Sequence, residues 1–218
     1  MEKLEAQTQS KADTNILPFG FASDSMGTAL GLGAISTGGI QPQASLFGLG
    51  VYSTNDSWTY YLAALNFQIP QAKQWLFTFD AYEAEFTEGR YYIYGNAVID
   101  PIINESSKPR VQVITNGQEA FFRPQAKYIF PWARGAGGAI NSLRGPRQIS
   151  DLNNIDSWNP LLSGTSSIEI AAKWQRRDLG KYNALQSTNE LTVYSIDFEY
   201  DNRNSIHIPS DGGTLNLK

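Results

Sequence analysis

A single histidine, His207, limits the catalysis this chain could support. Any Ser-His-Asp relay would have to use it, with Ser205 and Asp211 as its nearby partners in sequence. A catalytic serine of that kind sits on a sharp strand-to-helix turn, and nothing around Ser205 has that character, so the trio reads as turn decoration. Glu83 and Glu85 share one face of an extended segment and are of the type needed for acid–base work. They follow an apolar run and read as a solvated strand end. Gly135-Ala136-Gly137-Gly138 lacks the spacing and strand-to-helix frame of a phosphate cradle and reads as loop. The absence of cysteine excludes a thiol nucleophile, a disulfide framework and a zinc-thiolate site, and no metal-ligand spacing appears. Asp201 and Arg203 lie on one strand face, where an ion pair would brace a turn by about 0–1 kcal/mol if exposed. The expectation is a protein that is not an enzyme and carries no cofactor or metal.

The elements that hold these residues alternate in twos. In Gln118 to Trp132, Phe122, Ala126, Tyr128, Phe130 and Trp132 fall on one parity, and Arg123, Gln125 and Lys127 on the other. Successive strand side chains point to opposite sides, so this is a strand with an aromatic and a charged face. Trp75, Phe77, Phe79 and Ala81 oppose Thr78 and Asp80; Ile168, Ile170, Ala172 and Trp174 oppose Glu169, Lys173 and Gln175. Tyr194, Ile196, Phe198 and Tyr200 oppose Ser195, Asp197, Glu199 and Asp201. Earlier segments run Thr28–Thr37, Ala44–Thr54 and Trp58–Ile69. Arg90–Ala97 either extends the Gln74–Phe86 segment or stands alone. Asp100–Gly117 and Arg134–Gly164 read as connections, and helical periodicity is absent. The total is about eight strands of roughly 10–13 residues, against about 5–6 in soluble sheets and ~9–11 in membrane barrels.

Charged residues are 17% of the chain, below the ~25% usual for soluble domains, while aromatics reach 12%. A net charge of −4 gives no reason to expect nucleic acid. No run approaches the ~18 apolar residues of a membrane helix. Mean hydropathy of −0.33 does not decide the matter, since a polar lumen lowers the average of a membrane barrel. Long strands, aromatics at their ends (Trp58, Tyr60, Tyr61, Trp75, Tyr91, Tyr92, Trp132, Trp174, Tyr200) and no second layer to cover the apolar faces predict an all-β, transmembrane antiparallel barrel. On this reading Phe77, Phe79, Tyr128, Phe130, Ile168, Ile170, Ile196 and Phe198 face lipid, with Phe130 at mid-bilayer. Arg123, Lys127, Glu169, Lys173, Asp197 and Glu199 face a lumen. Residues 1–16 form a polar N-terminal segment and residues 17–218 the barrel domain.

Three motifs in order resemble the BamA/TamA-type outer-membrane assembly barrels, the bacterial surface antigen family. Pro18-Phe19-Gly20-Phe21-Ala22-Ser23-Asp24 with the Gly-rich Gly27–Gly33 run resembles the family's opening strand. Arg90-Tyr91-Tyr92-Ile93-Tyr94-Gly95-Asn96 is similar to its aromatic-Gly-x-Gly-Asn signature, with Tyr94 in place of the first Gly. Asp201, Arg203, Pro209 and Gly213 resemble its Asp-x-Arg strand end and Pro-x-x-Gly turn. The resemblance implies the first half of a barrel of roughly sixteen strands, in the bacterial outer membrane, with lipid and other outer-membrane proteins as partners. It implies a role in inserting or translocating those proteins. The alternatives are a self-contained eight-stranded barrel or pore, a soluble lipocalin-like or sandwich binding protein, and a membrane-associated enzyme.

Overall fold

The computed structural model describes residues 12–94, 110–143, 158–182, 185–203 and 213–217. They form one antiparallel sheet of nine strands in chain order. The strands are β1 (Asp13–Ser23), β2 (Gly27–Thr37), β3 (Ser45–Ser53), β4 (Trp58–Phe67), β5 (Trp75–Tyr94), β6 (Arg110–Ile129), β7 (Thr165–Tyr182), β8 (Leu185–Asp201) and β9 (Thr214–Leu217). The all-β, antiparallel architecture expected from the alternation is present. Among the described residues, β1 pairs with β2 alone and β9 with β8 alone.

Register fixes the faces, because directly paired residues in an antiparallel ladder share a side of the sheet. Asp80 pairs with Arg123, Lys127 with Glu169, and Glu169 with Asp197, so all five lie on one face. Phe77 pairs with Ala126, Ala126 with Ile170, and Ile170 with Ile196 on the other. The first face is concave. Phe86 of β5 packs against a cluster formed by Met26 of the β1–β2 turn, Ala29 of β2 and Val51 of β3, two to three strands away. Lys127 on β6 reaches past β7 to Glu199 on β8, and the Tyr61 and Phe121 rings meet across β5 at 6.4 Å.

Turn chemistry explains the connections. Gly27 (φ 64°) and Asp56 (φ 63°) take the left-handed conformation that tight hairpins require. Asn66 (φ 58°) sits in the register shift between Ala64 and Phe67, a β-bulge. Pairing between β6 and β7 is interrupted next to Pro124, which has no N–H to donate.

Three boundaries differ from expectation. Residues 110–117, expected as loop, belong to β6, where Val113 and Ile114 pair with Tyr91 and Arg90. That pairing carries β5 on to Tyr94, so both strands reach 20 residues. β1 starts at Asp13, inside the segment expected to be polar and separate, and Thr14 hydrogen-bonds Ser36 at 3.0 Å. The expected connection after β6 contains a 3-10 helix at Ala133–Gly137 and a short helix, α1 (Ala139–Leu143).

Candidate functional site

The concave face of β5–β8 carries a track of paired charges. Arg123 grips Asp80 through two parallel hydrogen bonds, Nε at 2.8 Å and the second guanidinium nitrogen at 2.9 Å. Asp80 is 2% exposed, and the Tyr61 hydroxyl also donates to it at 3.3 Å. Lys127 pairs with Glu199, and Arg177 with Glu119 at 2.8 Å. The Lys173 ammonium stands 4.7 Å from the Phe121 ring centroid, in range of a cation–π contact. Glu169 and Asp197 oppose each other in register, a like-charge pair that costs stability on its own.

All six residues expected in the lumen, Arg123, Lys127, Glu169, Lys173, Asp197 and Glu199, therefore lie on this face. Tyr61, Glu119 and Arg177 also belong to the track, and no motif in the sequence marks them. Their parity relative to Asp80 and Arg123 is the available signal. The face changes character toward β1–β3, where it carries Leu17, Phe19, Ile35, Phe47, Leu49 and Val51.

The opposite face is uncharged over a broad band. Phe77, Phe79, Tyr128, Phe130, Ile168, Ile170, Ile196 and Phe198 all lie on it. Leu30 is 72% exposed, Ile196 62% and Ile170 47%. Among the described residues no second layer covers them. One register row bounds the band: Tyr60 pairs with Glu83, Glu83 with Ala120, Ala120 with Arg176, and Arg176 with Glu190. Tyr60 donates to Glu83, and Arg176 binds Asp178 at 2.5 Å. The expected solvated end at Glu83 and Glu85 is thus part of a polar rim. Where Ala34, Gly48 and Ala64 meet, the band carries a groove of about 470 Å³ bordered by Leu46 and Leu62.

Two residues expected among the aromatic girdle lie on the concave face instead. Tyr61 follows Tyr60 in a strand, so the two cannot share a side. Tyr91 pairs with Val113 on the concave side, after the register shift between Phe86 and Gly89. Phe130 follows the end of β6 and stacks on Trp132 at 4.4 Å, which puts it at the foot of the band and not its middle.

At that foot, Asp201 and Arg203 form the expected turn brace. Arg203 donates to Asp201 through Nε at 3.0 Å, a second guanidinium nitrogen at 2.8 Å and its backbone N–H at 2.9 Å. Burial opposes ionisation of Asp201, but Arg203 and the Arg134 charge outweigh it and hold the carboxyl below its ordinary value. Gly213 donates its N–H to Asn202 Oδ1 at 2.7 Å. The Tyr200 hydroxyl meets Ser163 at 2.9 Å. Pro209, His207, Ser205 and Asp211 lie outside the described residues.

Among the described residues no group of three His, Cys, Asp or Glu could hold a metal, and no helix is long and apolar enough to cross a membrane. Comparison with protein-family models, curated proteins and solved structures returns no match.

Proposed function

We propose that this sheet is wall of a membrane-spanning β-barrel, with hydrocarbon against the convex face and water against the charged trough. The observation that carries the reading is the band itself. Along β6 and the residue that follows it, the convex face runs from Phe122 to Phe130 without a charge. Eight steps at ~3.4 Å give about 27 Å along the strand, or roughly 21 Å of height at a tilt of ~40°, close to the ~25 Å apolar belt of outer-membrane barrels. Trp75, Tyr128 and Phe198 lie in one register row near its foot, where aromatic rings favour the headgroup level. A soluble sandwich would need a second sheet over this band.

The resemblance to the BamA/TamA-type barrels supports a more specific role in the bacterial outer membrane, the insertion or translocation of other outer-membrane proteins. Dilution of the urea-unfolded chain into phospholipid vesicles tests both levels. The membrane reading expects protease-protected, vesicle-bound protein; a chain that stays in the aqueous fraction as a folded monomer ends it. The assembly role expects such vesicles to speed the folding of a second, unrelated outer-membrane barrel. An unchanged rate for the client overturns that role and leaves the membrane reading standing.

A further inference from the structure

The chain between β6 and β7 does not simply leave the sheet. Ile129 and Leu76 are concave-face residues, 2% and 3% exposed, and Ala139 of α1 joins them in one buried cluster with no exposure of its own. Leu143 completes the contact. The segment therefore lies across the foot of the trough, beside the Lys127–Glu199 pair, since Leu76 pairs in register with Lys127. It is tied at both sides. On the β5 side, the Ala139 N–H donates to the Lys73 carbonyl at 2.8 Å, and Gln74 Nε2 donates to the Gly135 carbonyl at 3.2 Å. On the β7–β9 side, the Arg134 N–H donates to the Gly164 carbonyl at 3.1 Å, and its guanidinium to the carbonyls of Asn202 at 3.3 Å and Arg203 at 3.1 Å.

We propose that Ala133–Leu143 is a releasable strap that shuts one mouth of the charged trough to small polar solutes, with Arg134 as its latch. The inference rests on the membrane reading for its consequence and on the contacts above for its geometry. Three features suit a strap better than a fixed plug. A five-residue helix does not hold itself together and depends on its neighbours. Its apolar anchorage is four side chains, which places it among the parts of a fold that open first. Ala133 has φ 47°, a left-handed conformation unfavourable for a residue with a Cβ and maintained by its surroundings. Release at Arg134 lets that residue relax, so the latch and the strained hinge adjoin.

The chain has no cysteine, so a single introduced thiol reports the strap without background. Leu76→Cys places it under α1. A water-soluble maleimide should label this thiol slowly in the otherwise unchanged chain, and at least tenfold faster when Arg134→Ala is added. Gly135→Val, whose Cβ would stand 2.0 Å from the Phe130 carbonyl oxygen, should expel the segment by an independent route and give the same increase. In vesicles, both changes should speed efflux of a small charged dye severalfold. Fast labelling of Leu76→Cys alone, or an unchanged rate in both variants, overturns the strap. Faster labelling with unchanged efflux overturns the gate. The labelling also works in detergent micelles, so failure to enter vesicles sinks the membrane reading while the strap is still decided.

Discussion

Ile170→Arg separates lipid from water at the convex face. Ile170 is 47% exposed and lies in the row Phe77–Ala126–Ile170–Ile196, midway between Phe122 and Phe130 on the neighbouring strand. If hydrocarbon covers this row, an arginine at the midplane costs roughly 2–4 kcal/mol. At 1.36 kcal/mol per tenfold that is about a 30- to 900-fold loss in the folded fraction. If water covers it, a substitution at so exposed a site should fall within about 0.5 kcal/mol. Glu169→Gln, on the adjacent residue and the opposite face, is the control and should change stability by less than about 1 kcal/mol. Phe130→Arg, at the foot of the band, should cost about 0–1 kcal/mol in charge burial, because the penalty falls toward the interface. Urea titration of the vesicle-folded protein, followed by tryptophan fluorescence, measures all three. Equal effects of Ile170→Arg and Glu169→Gln, or no dependence on depth between Ile170 and Phe130, would refute the assignment of faces.

Arg123→Ala should destabilise the fold by about 3–5 kcal/mol, because it leaves the 2%-exposed Asp80 without its bidentate partner; the double change Asp80→Leu with Arg123→Met should recover most of that loss in the same titration. Asp201→Asn should cost about 1–2 kcal/mol by removing charge-assisted bonds to Arg203. It should also remove part of the acid sensitivity: the folded carboxyl titrates below its unfolded value, so its contribution is complete above about pH 3.9 and fades as pH falls through the lower folded value. Urea midpoints of both proteins against pH should converge at the acid end. Gly27→Val should weaken the β1–β2 hairpin, since Gly27 has φ 64° and an added Cβ would stand 2.8 Å from Thr54 Oγ1; loss of amide protection in β1 and β2 by hydrogen exchange is the readout.

Much of this architecture is legible in the alternation. Phe122 through Lys127 display two opposed chemistries in six residues, and pairing then carries the same division onto β5, β7 and β8. What alternation does not carry is partnership. That Arg123 meets Asp80 and Lys127 skips a strand to reach Glu199 depends on register and curvature, which involve residues far apart in sequence. Residues 110–117 are hidden for a related reason. Asn116 and Gly117 are poor strand formers by themselves, yet β5 supplies the ladder that extends them. The two-faced apolar character of β1–β3 obscures sidedness further, since Phe47 and Leu49 face the concave side while Leu46 faces the convex one. The strap at Ala133–Leu143 has no periodic signal at all: it is too short to show one, and its conformation comes from Lys73, Gln74 and Gly164.

Whether hydrocarbon lies against the convex face can be read from the accessibility of spin labels in vesicles. Single cysteines at Ile170, Ile196 and Phe79 on the convex face, and at Lys173 and Asp197 on the concave face, would each carry a nitroxide. The first three should collide with dissolved oxygen, which concentrates in hydrocarbon, and the last two with a water-soluble nickel chelate. Nickel access at Ile170 and Ile196 equal to that at Lys173 would contradict it.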